Sequence, residues 1–76
     1  MANSKIEELI ELGRKLKSTR EERGLSVAQV ASDLKLLDAY IKGLESGDYS
    51  SIKSDVFVRG YLRAYGNYLN LDVTVL

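Results

Sequence analysis

Seventy-six residues with no cysteine, no histidine and no proline make one small domain, a size at which folding buries only about 60% of the unfolded chain's surface. Without Cys and His there are no disulfide staples, no zinc sites of the Cys/His kind and no Ser-His or Cys-His nucleophiles, and a reduced, cytoplasmic setting is expected. Eleven Lys plus Arg balance eleven Asp plus Glu, so the chain lacks the overall basic excess with which nucleic-acid-binding domains neutralise phosphates.

Many Leu, Glu, Lys and Arg at helical spacing, punctuated by glycines, predict an all-α chain: a small four- to five-helix bundle. A first helix, from about Lys5 to Arg23, carries Ile6, Leu9, Leu12, Leu16 and Thr19 at three- and four-residue steps as its inward stripe, with Gly13 weakening its middle. Gly24 stops it, being free to take the left-handed conformation. "SVAQ" then opens a second helix as a capping box, in which Ser26 accepts from the third helical amide and Gln29 reaches back to the cap amide; Leu25 and Val30 supply the flanking staple. This helix runs to about Leu34 and buries Val27 or Ala28, Val30, Ala31 and Leu34. "KLL" leaves room only for a tight turn. A third helix, about Asp38 to Ser46, buries Tyr40 or Ile41 and Leu44 and stops at Gly47. "GDYSSIKS" is a loop, and Ser54 or Asp55 caps a fourth helix that runs through Leu69. Asp72 is a candidate cap for a final short turn.

Two helices of about nine residues joined by a three- or four-residue turn, with longer helices before and after, form a helix-turn-helix arrangement. It spans about residues 26–46, with the extra helix at about 54–69. "LGRKLKSTREERGLSVAQVA" followed by "YIKGLESGDY" resembles the lambda-repressor-like, Cro/C1-type helix-turn-helix family. With "DVFVRGYLRAYGNYLNLD" added, the likeness narrows to the cytoplasmic N-terminal domain of the RodZ family. That resemblance implies a bitopic inner-membrane protein of rod-shaped bacteria, with a transmembrane helix and a periplasmic part beyond residue 76. The apolar ending "DVTVL" fits a chain that continues; nothing within these residues approaches the roughly 20 apolar positions of a membrane span. This domain would lie at the cytoplasmic face of the inner membrane and bind the actin-like filament protein MreB. Repressor-type domains also place a salt bridge between helix 1 and the end of helix 3, at the positions of Arg20 and Glu45 here.

The sequence departs from both patterns. Repressors often follow the helix 2 cap with Gln to hold a phosphate, where this chain has Val27. RodZ sequences open helix 3 with Ser-Pro and precede helix 4 with Leu-Pro; here Leu37-Asp38 and Ile52-Lys53 stand instead. Were the domain to read DNA, Ser26, Gln29, Lys35, Ala39 and Lys42 would be its contacts. Yet from Leu37 to Tyr49 one lysine faces three acids, a net charge of −2, which repels a phosphate backbone. The main basic cluster lies in helix 1, where Arg14, Lys15, Lys17, Arg20 and Arg23 against Glu21 and Glu22 leave +3 over residues 14–23. No carboxylate pair stands apart from ordinary surface acids, and no phosphate-cradling loop accompanies "GDYSS". No catalysis, cofactor, metal or small-molecule substrate is expected.

"FVRGYLRAYGNYL", residues 57–69, holds four of the six aromatic residues. At about 100° per residue its apolar arc sorts into an aliphatic flank (Val58, Leu62, Leu69) and an aromatic flank (Phe57, Tyr61, Tyr68), with Tyr65 between them. Aliphatic residues suit the inside of a bundle, and tyrosines suit a boundary, where the ring is covered and the hydroxyl stays wet. Of the seven, Phe57 is the strongest candidate for the core. The RodZ resemblance places the filament contact on a pair of helix 4 aromatics four residues apart, matching Tyr61 and Tyr65. Phe57 would extend that surface, and Arg59 and Arg63 would add charge complementarity.

Overall fold

In the computed structural model, which describes residues 3–74, four helices follow in order: α1 (Asn3–Glu22), α2 (Val27–Leu34), α3 (Asp38–Ser46) and α4 (Asp55–Tyr68). Among the described residues there is no strand and no fifth helix. Asp72 instead accepts the Thr74 amide within a turn, and the last two residues of the apolar ending lie outside the described part.

Local chemistry sets most of the boundaries. Ser26 and Ser54 have extended backbones and accept from the Gln29 and Phe57 amides at 3.0 and 3.4 Å, satisfying helix-start donors. The other half of the anticipated capping box does not form: the Gln29 side chain is turned to Asp33, its Nε2 donating to Asp33 Oδ1 at 2.9 Å. Leu37 precedes α3 with no side-chain cap, and Asp38 in the first turn offers only its charge to the helix dipole.

Three helices end in the same double turn, the Schellman motif, with a left-handed residue after the last turn. Gly24 closes α1, with the Leu25 amide on the Arg20 carbonyl. Lys35 closes α2, with the Leu36 amide on Ala31, and Asn70 closes α4, with the Leu71 amide on Gly66. The short turn expected at "KLL" is therefore built on a lysine at φ 59°, a conformation that nothing in the identity of a lysine signals.

The core is Leu12 and Leu16 of α1, Val30 and Ala31 of α2, Ile41 and Leu44 of α3, and Val58, Leu62, Tyr65 and Leu69 at α4, with Ile52 anchoring the loop before α4. Where the sequence offered pairs, Val27 packs and Ala28 is exposed; Ile41 is fully buried and Tyr40 partly. Ile6 was expected in the inward stripe but is 57% exposed. A 20-residue helix is about 30 Å long, and at its first turns Ile6 lies on an open groove beside Tyr49, Asp55, Val58 and Arg59, with its side chain left largely uncovered.

Gly13 is buried where α1 crosses the end of α3. A Cβ built there would stand 2.3 Å from the Leu44 carbonyl oxygen and 3.0 Å from that of Glu45. The glycine thus marks the contact point between two backbones, a gain in packing that its weak helix propensity concealed. Alanine favours a helix interior over glycine by about 1 kcal/mol, so propensity alone predicts that Gly13→Ala raises stability. The crossing predicts the reverse: thermal unfolding followed by circular dichroism should show a lower Tm for Gly13→Ala, and a higher Tm would refute the close-approach reading.

Candidate functional site

The crossing at Gly13 brings the last turn of α1 onto the end of α3 and places a buried charge pair there. Arg20 Nε donates to Glu45 Oε2 at 2.7 Å and Nη2 to Oε1 at 3.1 Å, a two-point fork, while Nη1 donates to the Leu25 carbonyl at 2.9 Å. Tyr65, from α4, donates its hydroxyl to Glu45 Oε2 at 2.5 Å. One carboxylate therefore takes donors from two other helices. The Glu45 hydrogen bond holds the Arg20 pKa above its ordinary value against the opposing effect of burial. Burial, and then the bond to Glu45, push the Tyr65 phenol well above the usual tyrosine value. Arg23 adds a second tie between chain segments, donating to the Leu69 carbonyl at 2.8 Å.

This geometry divides the aromatic pair singled out in the sequence. Tyr65 is completely buried and its hydroxyl is engaged, so it belongs to the fold and has no surface to offer a partner. Phe57 departs from expectation in the other direction: 49% exposed, it lies outside the core. Its ring stacks on Tyr61 with centroids 6.0 Å apart, and Tyr61 stacks in turn on Tyr40 of α3 at 5.6 Å. A row of three near-parallel rings (interplanar angles of 16° and 17°) thus runs across the α3–α4 junction. On the helical wheel the division falls between Tyr61, about 40° from Phe57, and Tyr65, about 80° from it. Arg59 and Arg63 are exposed, as is Val56 at 70%. Tyr68 is partly buried and donates to Asp33 Oδ2 at 2.5 Å, which raises its pKa. Tyr40 was not foreseen as part of this surface; its place beside Ile41 left open which of the two turned inward.

Of the five positions considered for DNA contact, three have local structural roles and two are exposed on α3. Ser26 is occupied as the α2 cap, Gln29 bonds to Asp33, and Lys35 is the left-handed residue closing α2. Ala39 and Lys42 are exposed and line a cleft of about 460 Å³ with Lys17, Asp48, Ser50 and Ser51. The Ser50 side chain and amide hold Asp48 below its usual pKa, so it stays an anion in this cleft. With Glu45 withdrawn into its pair with Arg20, the charge that α3 and its following turn present outward is that of Lys42 against Asp38 and Asp48. Among the described residues no group of three or more acidic side chains is placed to hold a metal, and no helix is long and apolar enough to cross a membrane.

A short helix pair, α2 and α3, held by a longer helix on each side defines a helix-turn-helix domain. The chain belongs to a helix-turn-helix domain family, whose pattern matches residues 15–76. It is also similar to an uncharacterized protein of Haemophilus influenzae, 30% identical over 74 residues that cover 96% of this chain and 24% of the relative. The chain thus spans about a quarter of the length of the curated relative it matches. No solved structure matches the chain.

The buried cluster has a stability cost that can be checked. Removing one partner of a buried ion pair strands the other charge, at a cost of about 3–5 kcal/mol, a large part of the roughly 4–11 kcal/mol available to a domain of this size. Glu45→Ala should therefore unfold at much lower urea concentration, and Tyr65→Phe, which removes one donor and keeps the ring, should lose about 1–3 kcal/mol. An unchanged midpoint for Glu45→Ala would exclude the cluster as a support of the fold. The raised phenol pKa also has a direction in pH: Tyr65's contribution is complete below about pH 10 and is lost as pH rises toward its folded value, because above pH 10 the unfolded chain releases the proton first. Melting temperature measured across this range should fall more steeply for the native sequence than for Tyr65→Phe; parallel curves would contradict the assignment.

Proposed function

We propose that the domain is a non-catalytic protein-interaction module, the cytoplasmic head of a RodZ-like cell-shape protein, which binds an actin-like filament of the MreB type. The observation that carries this reading is the stacked row Phe57–Tyr61–Tyr40. Aromatic rings left half open at a helix junction, with Arg59 and Arg63 exposed on the same helix, have the composition of interface anchors. The contact surface proposed here is Phe57, Tyr61 and Tyr40, with Arg59 and Arg63 as charged neighbours; Tyr65 acts only by holding α4 in place. The family-level likeness of "FVRGYLRAY" supports the same helix. The relative's greater length supports placement in a longer protein, for which we propose a membrane anchor beyond residue 76 and a position at the cytoplasmic face of the inner membrane.

A DNA-binding regulator of the Cro/C1 type is the second reading, favoured by membership of a helix-turn-helix family and by the exposure of Ala39 and Lys42 on α3. On α3 and its following turn Asp38 and Asp48 outnumber Lys42, with Lys17 of α1 as a further lysine on the cleft, and this lack of a basic excess weighs against it, since phosphate contacts supply most nonspecific affinity.

Co-sedimentation with MreB filaments and a duplex-DNA gel shift, run in parallel at low and high salt, separate the two. Phe57→Ala with Tyr61→Ala should abolish co-sedimentation while retaining helical circular dichroism and a cooperative melt, at a Tm lowered by the loss of Tyr61's packing. Retained filament binding by this folded variant would reject the aromatic row as the contact. A salt-sensitive DNA shift abolished by Lys42→Ala would favour the second reading.

A further inference from the structure

The first turns of α1 and the outer face of α4 carry exposed apolar and charged residues that lie outside the core. On α1, Ile6 and Ile10 are 57% and 39% exposed at a four-residue spacing, and Glu7 and Glu11 lie beside them on the helix surface, both exposed. Glu11 meets Arg14 in a solvent-exposed, readily exchanged pair at 3.1 Å. On α4, Val56, Arg59 and Arg63 recur at steps of three and four, forming one exposed stripe. Each stripe thus combines apolar surface with two like charges, and the two stripes are opposite in sign.

One residue of each stripe, Ile6 and Arg59, reaches a common groove. Ile6 and Leu9 form one wall, Val58, Asp55 and Arg59 the other, and Tyr49 adjoins both. A two-fold axis through this groove would lay α1 of each copy along α4 of the other, setting Ile6 and Ile10 against Val56 and Glu7 and Glu11 toward Arg59 and Arg63. Such an isologous contact is made twice by the same pair of stripes. The family match begins at residue 15, so the acidic, isoleucine-bearing turns lie outside the stretch that the family pattern covers.

We propose that this groove is a homodimer interface, with the α1 overhang of one copy seated on the Val56–Arg59–Arg63 stripe of its partner. The proposal shares Arg59 and Arg63 with the filament reading but needs neither Phe57 nor Tyr61, so substitutions at Glu7 and Glu11 test it separately from that reading. Its small apolar area places it among weak, transient contacts, and its opposed charges make it sensitive to salt.

Sedimentation equilibrium at millimolar protein tests it. The native chain should show a mass above the monomer at low salt that falls toward the monomer at high salt. Glu7→Lys/Glu11→Lys and Arg59→Glu/Arg63→Glu should each be monomeric alone, and their equimolar mixture should regain association, since both contacts of the mixed dimer again join opposite charges. If either charge variant unfolds, Ile6→Ser, at an exposed position outside the core, should dissociate the dimer while retaining helical circular dichroism. A native chain that stays monomeric at low salt, as it would if the groove served an acidic peptide instead, overturns the proposal; so does a mixture no heavier than its components.

Discussion

A carboxylate removed from water must find hydrogen-bond donors inside the protein, and at Glu45 they come from two other helices. Arg20 approaches from α1 with a two-point fork and Tyr65 from α4 with its hydroxyl, while Arg20's remaining donor holds the Leu25 carbonyl in the turn that starts α2. All four helices or their flanking turns are thereby referred to one group. The requirement also explains features at a distance from the charges. The fork closes only if α1 and α3 approach at backbone distance, which Gly13 allows, and Arg20's reach to Leu25 requires the chain to reverse at Gly24. Charge burial of this kind is costly to desolvate, and its use here is better described as fixing one arrangement of helices than as adding net stability.

Because Tyr65 is held by its hydroxyl, the rotation of α4 about its own axis is set, and so is the position of every other residue on it. Val58, Leu62 and Leu69 turn into the core, Gly66 comes against Val73, and Phe57 and Tyr61 are left at the edge facing Tyr40. Near-parallel rings about 6 Å apart keep their mutual attraction while one face of the row remains open to water. A segment that sequence composition presents as one aromatic stripe is therefore two structures: a core tyrosine with a polar purpose and a surface row with an apolar one.

The helices and their stops were legible in the sequence because glycine, serine caps and three- and four-residue spacing act locally. The spacing of Arg20 and Glu45 could be read through its resemblance to repressors. What escaped the sequence depended on tertiary partners. Whether a tyrosine at the margin of a wheel turns in or out depends on whether an acceptor waits for its hydroxyl, and Tyr65's acceptor lies 20 residues away. Phe57 looked like core from its apolarity alone, yet α3 offers it only the edge of a tyrosine row. Gln29 lost its capping role to Asp33, one turn along. Lys35 adopts a glycine-like conformation because the short connection to α3 demands it. Ile6 fits the helical period of its neighbours, but the period cannot tell where the bundle beneath it ends.

The wheel of α4 also bears on how two proposed contacts would coexist. The buried arc runs from Tyr65 to Gly66; the aromatic margin lies on one side of it, and the stripe of Val56, Arg59 and Arg63 faces broadly away from the core. A partner seated on Phe57, Tyr61 and Tyr40 approaches across the α3 side of the helix, whereas a second copy seated at the Ile6–Arg59 groove approaches across the α1 side. The two approaches share only the arginines, whose long side chains can serve either direction. In the proposed arrangement a dimer therefore keeps both aromatic rows open, and two weak contacts with one filament would reinforce each other through effective concentration, with no change in either site.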